Sequence, residues 1–191
     1  MTGSSRTMPS VSHADLVTHL RDNALRTDGP FTLRSGQVSD WYLDARETTF
    51  DGEGARIAGI AVLDAMDPAA EAVGGMTMGA DPIAVATALT AALSGRAVKA
   101  FSVRKEEKDH GTGGRVVGPV RPGMRVAMVD DTVTTGGALF ESIDVVIGSG
   151  LEVIQAMSLV DRSQGSVAAE MGRRGIPYLA LVTSEDLGVG P

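Results

Sequence analysis

The hydrophobic and polar positions along this 191-residue chain follow a regular alternation from residue 51 onward. Short runs of apolar and β-branched residues, typical of buried strands, alternate with segments in which apolar residues recur at helical spacing. Strands joined through helices predict a doubly wound, mainly parallel α/β sheet with helices on both faces. The predicted strands are residues 72–76, 97–103, 125–129, 153–160 and 178–182. The predicted helices are residues 54–66, 82–95, 137–148 and 166–174, the second with Asp81 as its N-cap and Pro82 in its first position.

A smaller unit with a less regular pattern precedes this alternation. Ser12 and Asp15 have the spacing of a capping box, which marks the start of a helix. Residues 31–36 and 41–43 have the composition of two short strands around a Ser-Gly turn. The leucines expected near one face of the first helix are Leu16, Leu20 and Leu25.

The domain organisation follows from the same pattern. Residues 1–10 are small and polar without a period, and we expect a disordered tail. No linker or internal repeat interrupts the rest, so residues 11–191 are predicted to form one domain. Within it, residues of about 11–50 would form the N-terminal unit and residues of about 51–185 the core.

The composition excludes several classes of site. The chain has no Cys, which removes disulfide scaffolds, thiolate metal sites and cysteine nucleophiles. Its 17 basic and 24 acidic residues give a net charge of −7, which argues against a nucleic-acid binder. The longest apolar stretch, residues 82–93, is too short to span a bilayer, and no signal segment opens the chain. The sequence therefore predicts a cytoplasmic protein without nucleic-acid or membrane partners.

One basic cluster departs from this acidic background. All three lysines, Lys99, Lys105 and Lys108, lie within ten consecutive residues. Residues 105–118 are charged, rich in Gly and without a period, which predicts a long loop. The cationic side chains at its start would suit a diphosphate, although a solvated surface loop is the alternative interpretation. These side chains are Arg104, Lys105, Lys108 and His110.

The strongest chemical signal follows the predicted strand at residues 125–129. Asp130 and Asp131 come at its carboxyl end, and a run of Thr and Gly then opens a helix. The backbone N–H groups of residues 134–138 would point into one concavity at the positive end of that helix, which favours a phosphate. Two carboxylates before an anion cradle suit ribose hydroxyls or Mg²⁺, so a sugar phosphate would satisfy both halves. The alternative is a helix cap followed by a Gly-Gly turn.

Two of these segments resemble a known family. Residues 130–138 resemble the ribose-phosphate loop of type I phosphoribosyltransferases, which bind phosphoribosyl pyrophosphate (PRPP). The string Arg104-Lys-x-x-Lys-x-His-Gly111 resembles the catalytic loop of the orotate phosphoribosyltransferase branch. The resemblance implies PRPP binding by Arg104, Lys105, Lys108, His110, Asp130, Asp131, Thr132, Val133, Thr134, Thr135, Gly136, Gly137 and Ala138. It implies catalytic roles for Lys108, Asp109, His110 and Arg104, with Asp109 as an acid–base group.

The resemblance extends to a Gly-rich turn and to the N-terminal unit. Residues 74–82 match a turn whose exposed amides at Thr77, Met78 and Gly79 would hold the pyrophosphate. Many members have a Lys where this chain has Gly79, so backbone contacts are expected there. Residues 31–42 resemble the small hood of the family, with Arg34 where several relatives carry a Lys that contacts the substrates.

The residues that the resemblance assigns to the base lie in three places. Arg162 matches the Arg that recognises orotate, and a guanidinium fork suits the orotate carboxylate, although a surface salt bridge is the alternative. The backbone at Tyr42 and Leu43 matches the stretch that lines the base, although Trp41 and Tyr42 have an alternative interpretation as core aromatics. The implied orotate-binding residues are Tyr42, Leu43, Thr134 and Arg162.

The resemblance therefore implies a specific reaction and assembly. Orotate and PRPP would give orotidine 5′-monophosphate and pyrophosphate, with Mg²⁺ held mainly by PRPP and water near Asp130 and Asp131. A homodimer is implied in which loop 104–118 reaches into the neighbouring active site, apart from Lys105, which would serve its own subunit. The alternatives are a phosphoribosyltransferase for another base and a PRPP-binding regulator without catalysis.

Overall fold

A six-stranded sheet forms the centre of the computed structural model, which describes residues 11–32, 38–107 and 114–190. The strands of the chain are β1 (Leu25–Arg26), β2 (Phe31–Thr32), β3 (Val38–Ser39), β4 (Tyr42–Leu43), β5 (Ala72–Met76), β6 (Lys99–Val103), β7 (Val116–Val117), β8 (Arg125–Val133), β9 (Glu152–Asp161) and β10 (Tyr178–Thr183). The helices are α1 (His13–Asn23), α2 (Arg46–Thr49), α3 (Gly52–Ala65), α4 (Ala80–Leu93), α5 (Gly137–Gly148) and α6 (Ser166–Arg174).

The order of the strands confirms the predicted sheet and locates its crevice. The central sheet runs β10-β9-β8-β5-β6-β7, and every neighbouring pair is parallel except β6 and β7. From β5 the chain crosses to β6 in one direction, and from β8 it moves through β9 to β10 in the other. The order therefore reverses between β5 and β8. In doubly wound sheets a ligand crevice opens at the carboxyl ends of the two strands at such a point.

Two apolar layers cover the two faces of the sheet, as the alternation predicted. Successive residues of β8 point to opposite sides: Val126 and Met128 join the layer under α5 and α6, whereas Ala127 and Val129 join the layer under α1, α3 and α4. The buried helix side chains of the first layer are Leu139, Ile143, Val146, Val167 and Met171. Those of the second include Leu16, Leu20, Ile57, Val62 and Ile83.

The N-terminal unit departs from its prediction at one leucine and contains a helix that was not predicted. Ser12 caps α1 through a complete capping box with Asp15, as the spacing indicated. Leu25 lies outside that helix, because the chain leaves α1 after Asn23 and pairs Leu25 with Leu43 of β4. Helix α2 was not predicted, since four residues carry no recognisable period.

Three differences from prediction lie near the carboxyl ends of the strands. Helix α4 begins at Ala80 with Gly79 as its N-cap, so the prediction of Asp81 as N-cap is wrong. Strand β8 continues four residues beyond the predicted end, because Thr132 and Val133 still pair with β9. Strand β7 lies inside the segment predicted as a loop and pairs with the outer side of β6.

Candidate active site

The two neighbouring carboxylates lie at the carboxyl end of β8, beside the point where the strand order reverses. Asp130 is 7% exposed, and its Oδ1 accepts a hydrogen bond from the N–H of Asp131 at 3.1 Å. Burial and the charge of Asp131 raise the pKa of Asp130 to about 7. Burial also raises the pKa of Asp131, against the N–H of Thr132 and the charge of Arg46, which favour its ionised form. The pair therefore costs free energy when both groups are charged and no ligand is bound.

The segment after these carboxylates forms an open turn at the N-terminus of α5. Gly136 has φ +76, and a Cβ there would meet Phe140 Cζ at 2.5 Å and Val167 Cγ2 at 2.8 Å, so only Gly fits. The helix N-terminus has no side-chain cap, which leaves its first N–H groups available to an anion. The exposed residues around this turn are Thr134, Thr135, Gly137 and Ala138.

Two residues assigned to the same segment are oriented differently. Val133 is buried in the core, so its side chain is not available to a ligand. Its carbonyl accepts a hydrogen bond from the N–H of Arg162 at 2.8 Å. The Oγ1 of Thr132 is buried and has no hydrogen-bond partner in the described part of the chain.

The Gly-rich turn after β5 faces the carboxylates directly. A Cβ at Gly79 would overlap the Asp131 carboxyl group, so the space beside this turn is filled by an acidic side chain from β8. The Thr77 hydroxyl donates to Asp81 Oδ2 at 2.6 Å, the Thr77 N–H donates to the Val103 carbonyl at 2.8 Å, and the bond from Thr77 to Met78 is cis. The turn is thus fixed against both β6 and α4.

The base of the predicted catalytic loop is held firmly at both ends. The N–H of Arg104 donates to the Arg115 carbonyl at 2.8 Å, and Arg115 Nε donates to the Arg104 carbonyl at 2.7 Å. Arg115 also pairs with Glu141 of α5. Lys105 is exposed beside this base, whereas Lys108, Asp109 and His110 lie outside the described residues. Lys99 lies at the opposite end of β6, in register with the first residue of β5.

Arg162, the proposed orotate-binding arginine, directly follows the end of the next strand, β9. Its guanidinium carbon lies 3.7 Å from the centre of the Trp41 ring. Burial lowers the pKa of Arg162, while the nearby Tyr42 favours its charged form. Among residues 11–32, 38–107 and 114–190, no carboxylate forms an ion pair with Arg162. Arg34 lies outside the described residues.

The neighbouring aromatic residues Trp41 and Tyr42 of the hood differ in burial, and only Trp41 is a core residue. Trp41 is buried in the core layer under α1, whereas Tyr42 is 37% exposed and lies 5.9 Å from Phe31, ring centre to ring centre. Leu43 is buried, so the chain at this strand alternates between core and crevice.

Two polar groups near the crevice are not predicted from the sequence. Arg46 of α2 makes a bidentate pair with Asp44, both contacts at 2.7 Å, and its charge acts on Asp131 across the crevice. A second group lies deeper, where the Tyr178 hydroxyl donates to Asp161 Oδ2 at 2.9 Å and contacts the Ser158 hydroxyl at 2.6 Å. Arg46 could have been noticed from the alternating charges of Asp44 and Arg46 directly after Leu43.

Comparison with known proteins gives a consistent result. The chain is 41% identical to the orotate phosphoribosyltransferase of Streptomyces coelicolor over 176 residues, which are 92% of this chain and 96% of that protein. No protein-family model matches the chain. No helix within residues 11–32, 38–107 and 114–190 is long and apolar enough to cross a membrane.

Solved structures with the same fold agree. The orotate phosphoribosyltransferase of Mycobacterium tuberculosis with Fe(III) dicitrate superimposes with a TM-score of 0.80 at 33% identity, covering 93% of this chain and 99% of that one. The same enzyme in complex with 5-phospho-α-D-ribosyl 1-diphosphate gives 0.76 at 30% identity, covering 93% and 99%.

Proposed function

The chain belongs to the orotate phosphoribosyltransferase family, and we propose that the crevice between β5 and β8 transfers the 5-phosphoribosyl group from PRPP to orotate. The products are orotidine 5′-monophosphate and pyrophosphate, the step that makes the first nucleotide of pyrimidine biosynthesis. We assign this activity to the cytoplasm.

One juxtaposition carries this proposal. The acidic pair Asp130 and Asp131 lies on β8, the anion-binding turn follows it on α5, and Arg162 follows the adjacent strand β9. The hydrogen bond from the Arg162 N–H to the Val133 carbonyl, 2.8 Å long, joins these parts. A ribose, a phosphate and a carboxylate-bearing base are the three parts of orotidine 5′-monophosphate, and this edge offers a suitable group for each.

The chemistry follows from the charges that develop in the transition state. As the bond from C1 to the pyrophosphate oxygen loosens, positive charge grows on the ribose and negative charge on the leaving group. Asp130 and Asp131 accept from the ribose hydroxyls, and the N–H groups at Thr134 to Ala138 hold the 5′-phosphate. The amides of Thr77, Met78 and Gly79 bind the pyrophosphate.

The catalytic loop completes the leaving-group side. Arg104, Lys105, Lys108 and His110 neutralise the departing pyrophosphate, with Asp109 as an acid–base group, and Arg34 of the hood contacts the substrates. Loop closure excludes water, which would otherwise intercept the ribose cation. Tyr42 and Leu43 line the base through their backbone, and Thr134 and Arg162 orient orotate so that its ring nitrogen attacks C1.

Asp130 and Asp131 suit part of a Mg²⁺ site but do not complete one by themselves. No cluster of three or more His, Asp or Glu side chains suited to a metal occurs in the described part of the chain, so protein ligands alone do not form a cage. The raised pKa values of Asp130 and Asp131 fit a pair that becomes fully ionised next to a cation. Mg²⁺ bound to PRPP would offset the negative charge of the pyrophosphate, and the two carboxylates would hold its bound water.

An exposed apolar row on α4 supports the proposed homodimer. Val85, Leu89 and Leu93 are 60%, 60% and 64% exposed and recur every four residues, so they line one side of the helix. Asp81 is the only ionisable residue in this 14-residue helix. A surface helix of a monomer normally carries a charged outer face, so this row is expected to be covered. Helix α4 packs on β5 and β6, so a second copy that covers this row would lie near the base of loop 104–118.

The dimer is tested with a charge in the row and a matched charge elsewhere. Leu89→Glu should convert the protein to monomers and abolish turnover, as measured by light scattering and by activity. Ile147→Glu, at a 51% exposed apolar position on α5, should change neither. Mixing inactive Lys108→Ala and Asp130→Asn subunits should restore roughly a quarter of the activity, because a hybrid with shared loops contains one intact site. No recovery on mixing would show that the loop serves its own subunit.

The reaction itself is tested by the loss of orotate absorbance. Depletion should require both PRPP and Mg²⁺, each omitted in turn. Consumption of uracil or of a purine in place of orotate would identify a different phosphoribosyltransferase. Tight PRPP binding without turnover, together with retention of DNA, would identify a regulator.

A further inference from the structure

The only tryptophan of the chain occupies an unusual place beside the crevice. Trp41 is 6% exposed, and its indole Nε1 donates to the carbonyl of Gly190 at 3.0 Å. The guanidinium carbon of Arg162 lies over the same ring, 3.7 Å from its centre. One ring thus connects the hood, the C-terminal segment and the end of β9.

The electrostatics of this contact differ from those of the other arginines near aromatic rings. Arg26 lies 5.2 Å from the centre of Phe31 and Arg174 lies 5.0 Å from that of Phe140, but both also pair with carboxylates. Arg162 has the shortest of these contacts and no acidic partner among the described residues. Its charge is therefore stabilised by the face of a neutral ring.

An aromatic ring and a carboxylate contact different parts of a guanidinium group. A separation of 3.7 Å between the guanidinium carbon and the ring centre is that of a stacked contact, in which the flat face of the guanidinium meets the ring. Such a contact leaves the N–H groups at the edge of the guanidinium without a partner from Trp41. A planar carboxylate binds best when both of its oxygens meet two of these N–H groups in one plane. The plane of the Trp41 ring thereby sets the plane in which a carboxylate can be bound.

We propose that Trp41 is a positioning residue that fixes the guanidinium plane of Arg162 and so selects a base carrying an in-plane carboxylate. The hydrogen bond from Nε1 to Gly190 prevents the ring from turning, so the C-terminal segment contributes to base selection. This inference rests on the proposed function of Arg162 in binding orotate.

Steady-state kinetics separate positioning from general stability. Trp41→Leu should raise KM for orotate by about 5- to 10-fold, because the stacked face is lost. Its kcat and its KM for PRPP should stay within about twofold of wild type. Trp41→Phe keeps a face under the guanidinium but lacks the N–H donor, so its KM for orotate should lie between those of wild type and Trp41→Leu. Because Trp41 is buried, Trp41→Leu should lower the melting temperature in either case. A structural role alone would instead raise the KM values for orotate and PRPP together.

Fluorescence provides a second readout that does not depend on turnover. Because Trp41 is the only tryptophan, its fluorescence lifetime should change when orotidine 5′-monophosphate binds, and lifetimes are insensitive to absorption by the ligand. Arg162→Lys keeps the reporter but removes the planar fork, so the lifetime change should be lost at concentrations that saturate the wild type.

The two arms distinguish failure of the inference from failure of the proposed function. If Arg162→Lys weakens orotate binding but Trp41→Leu does not, Trp41 has no positioning role. If Arg162→Lys leaves orotate binding unchanged, the proposed role of Arg162 is wrong. If Trp41→Leu does not fold, the KM of Trp41→Phe for orotate and the fluorescence lifetime of the wild type test the inference instead. An unchanged lifetime at saturating orotidine 5′-monophosphate overturns it.

Discussion

The charges of α6 and those of the crevice are arranged in opposite ways. On α6, Arg173 and Arg174 both pair with Glu170, and Arg174 also reaches Asp144 of α5 at 2.7 Å. In the crevice, Asp130 and Asp131 lie side by side with like charge, and Arg162 rests on a neutral ring. The charges of α6 are therefore neutralised within the protein, whereas the charges of Asp130, Asp131 and Arg162 have no oppositely charged hydrogen-bond partner among the described residues and are available to a ligand.

The direction of the pKa shifts follows the same division. Hydrogen bonds from Arg173 and Arg174 lower the pKa of Glu170, so the ion pairs on α6 favour the charged forms. Burial raises the pKa of Asp130 and lowers that of Arg162, so each crevice group is less stable when charged. A crevice of this kind lowers the stability of the ligand-free protein and gains most from substrate.

The largest expected effect concerns two lysines of the same cluster. Lys108→Ala should lower kcat by about 100- to 1000-fold, because a cation that stabilises the leaving pyrophosphate would be removed. Lys99→Ala is the matched control, since Lys99 lies at the opposite end of β6 and is exposed. It should change kcat by less than about twofold, and neither variant should alter the midpoint of urea unfolding appreciably. Equal activity of the two variants would contradict the assigned role of the loop.

The next effect separates activity from stability at Asp130. Asp130→Asn should lower activity by about 100-fold, since one acceptor for the ribose loses its charge. In the absence of PRPP and Mg²⁺, the same variant should be more stable than wild type at neutral pH. The reason is that Asn cannot acquire the buried charge that destabilises the wild-type protein.

The pH dependence of that gain has a definite sign. The pKa of Asp130 is about 7 in the folded protein against an ordinary value of 3.8, so the folded state binds more protons between these values. The contribution of Asp130 to wild-type stability therefore falls as pH rises from about 4 to about 7 and is constant at higher pH. The advantage of Asp130→Asn should grow over this range to on the order of 2–4 kcal/mol. Urea unfolding of both proteins across the range measures it, and a constant difference would show that Asp130 has an ordinary pKa.

The contrast between crevice and surface also separates what the sequence predicts from what it does not. Residues 130–138 could be recognised because the carboxylates, the Thr-Gly run and the helix are consecutive. The boundary at Val133 could not, since the extension of β8 depends on pairing with Val160 and Asp161 of β9. Local composition ends the strand at Val129, but the neighbouring strand continues it.

Contacts between distant parts of the chain were the least predictable. Trp41 lies in the core, as one interpretation of its sequence context predicts, but its position under Arg162 depends on how the hood packs against β9. The approach of Asp131 to Gly79 joins β8 with the turn after β5 in the same way. Arg46 was missed because α2 is too short to have a period. The assignments of Lys108, Asp109, His110 and Arg34 stay predictions, since these residues lie outside the described ranges.

The smallest expected effect concerns the ion pairs of α6 and the free energy of unfolding. Arg174→Ala removes ion pairs with Glu170 and Asp144 together with a contact to Phe140, so the free energy of unfolding should fall by about 0.5–1 kcal/mol. Arg173→Ala, at a more exposed side chain, should change it less, and both variants should keep wild-type turnover. Urea titrations and orotate depletion measured on the same preparations test this. A large loss of activity in Arg174→Ala would mean that the contact of Arg174 with Phe140, which packs against Gly136, is needed to hold the phosphate turn in place. The ion pairs of α6 would then not be independent of the crevice.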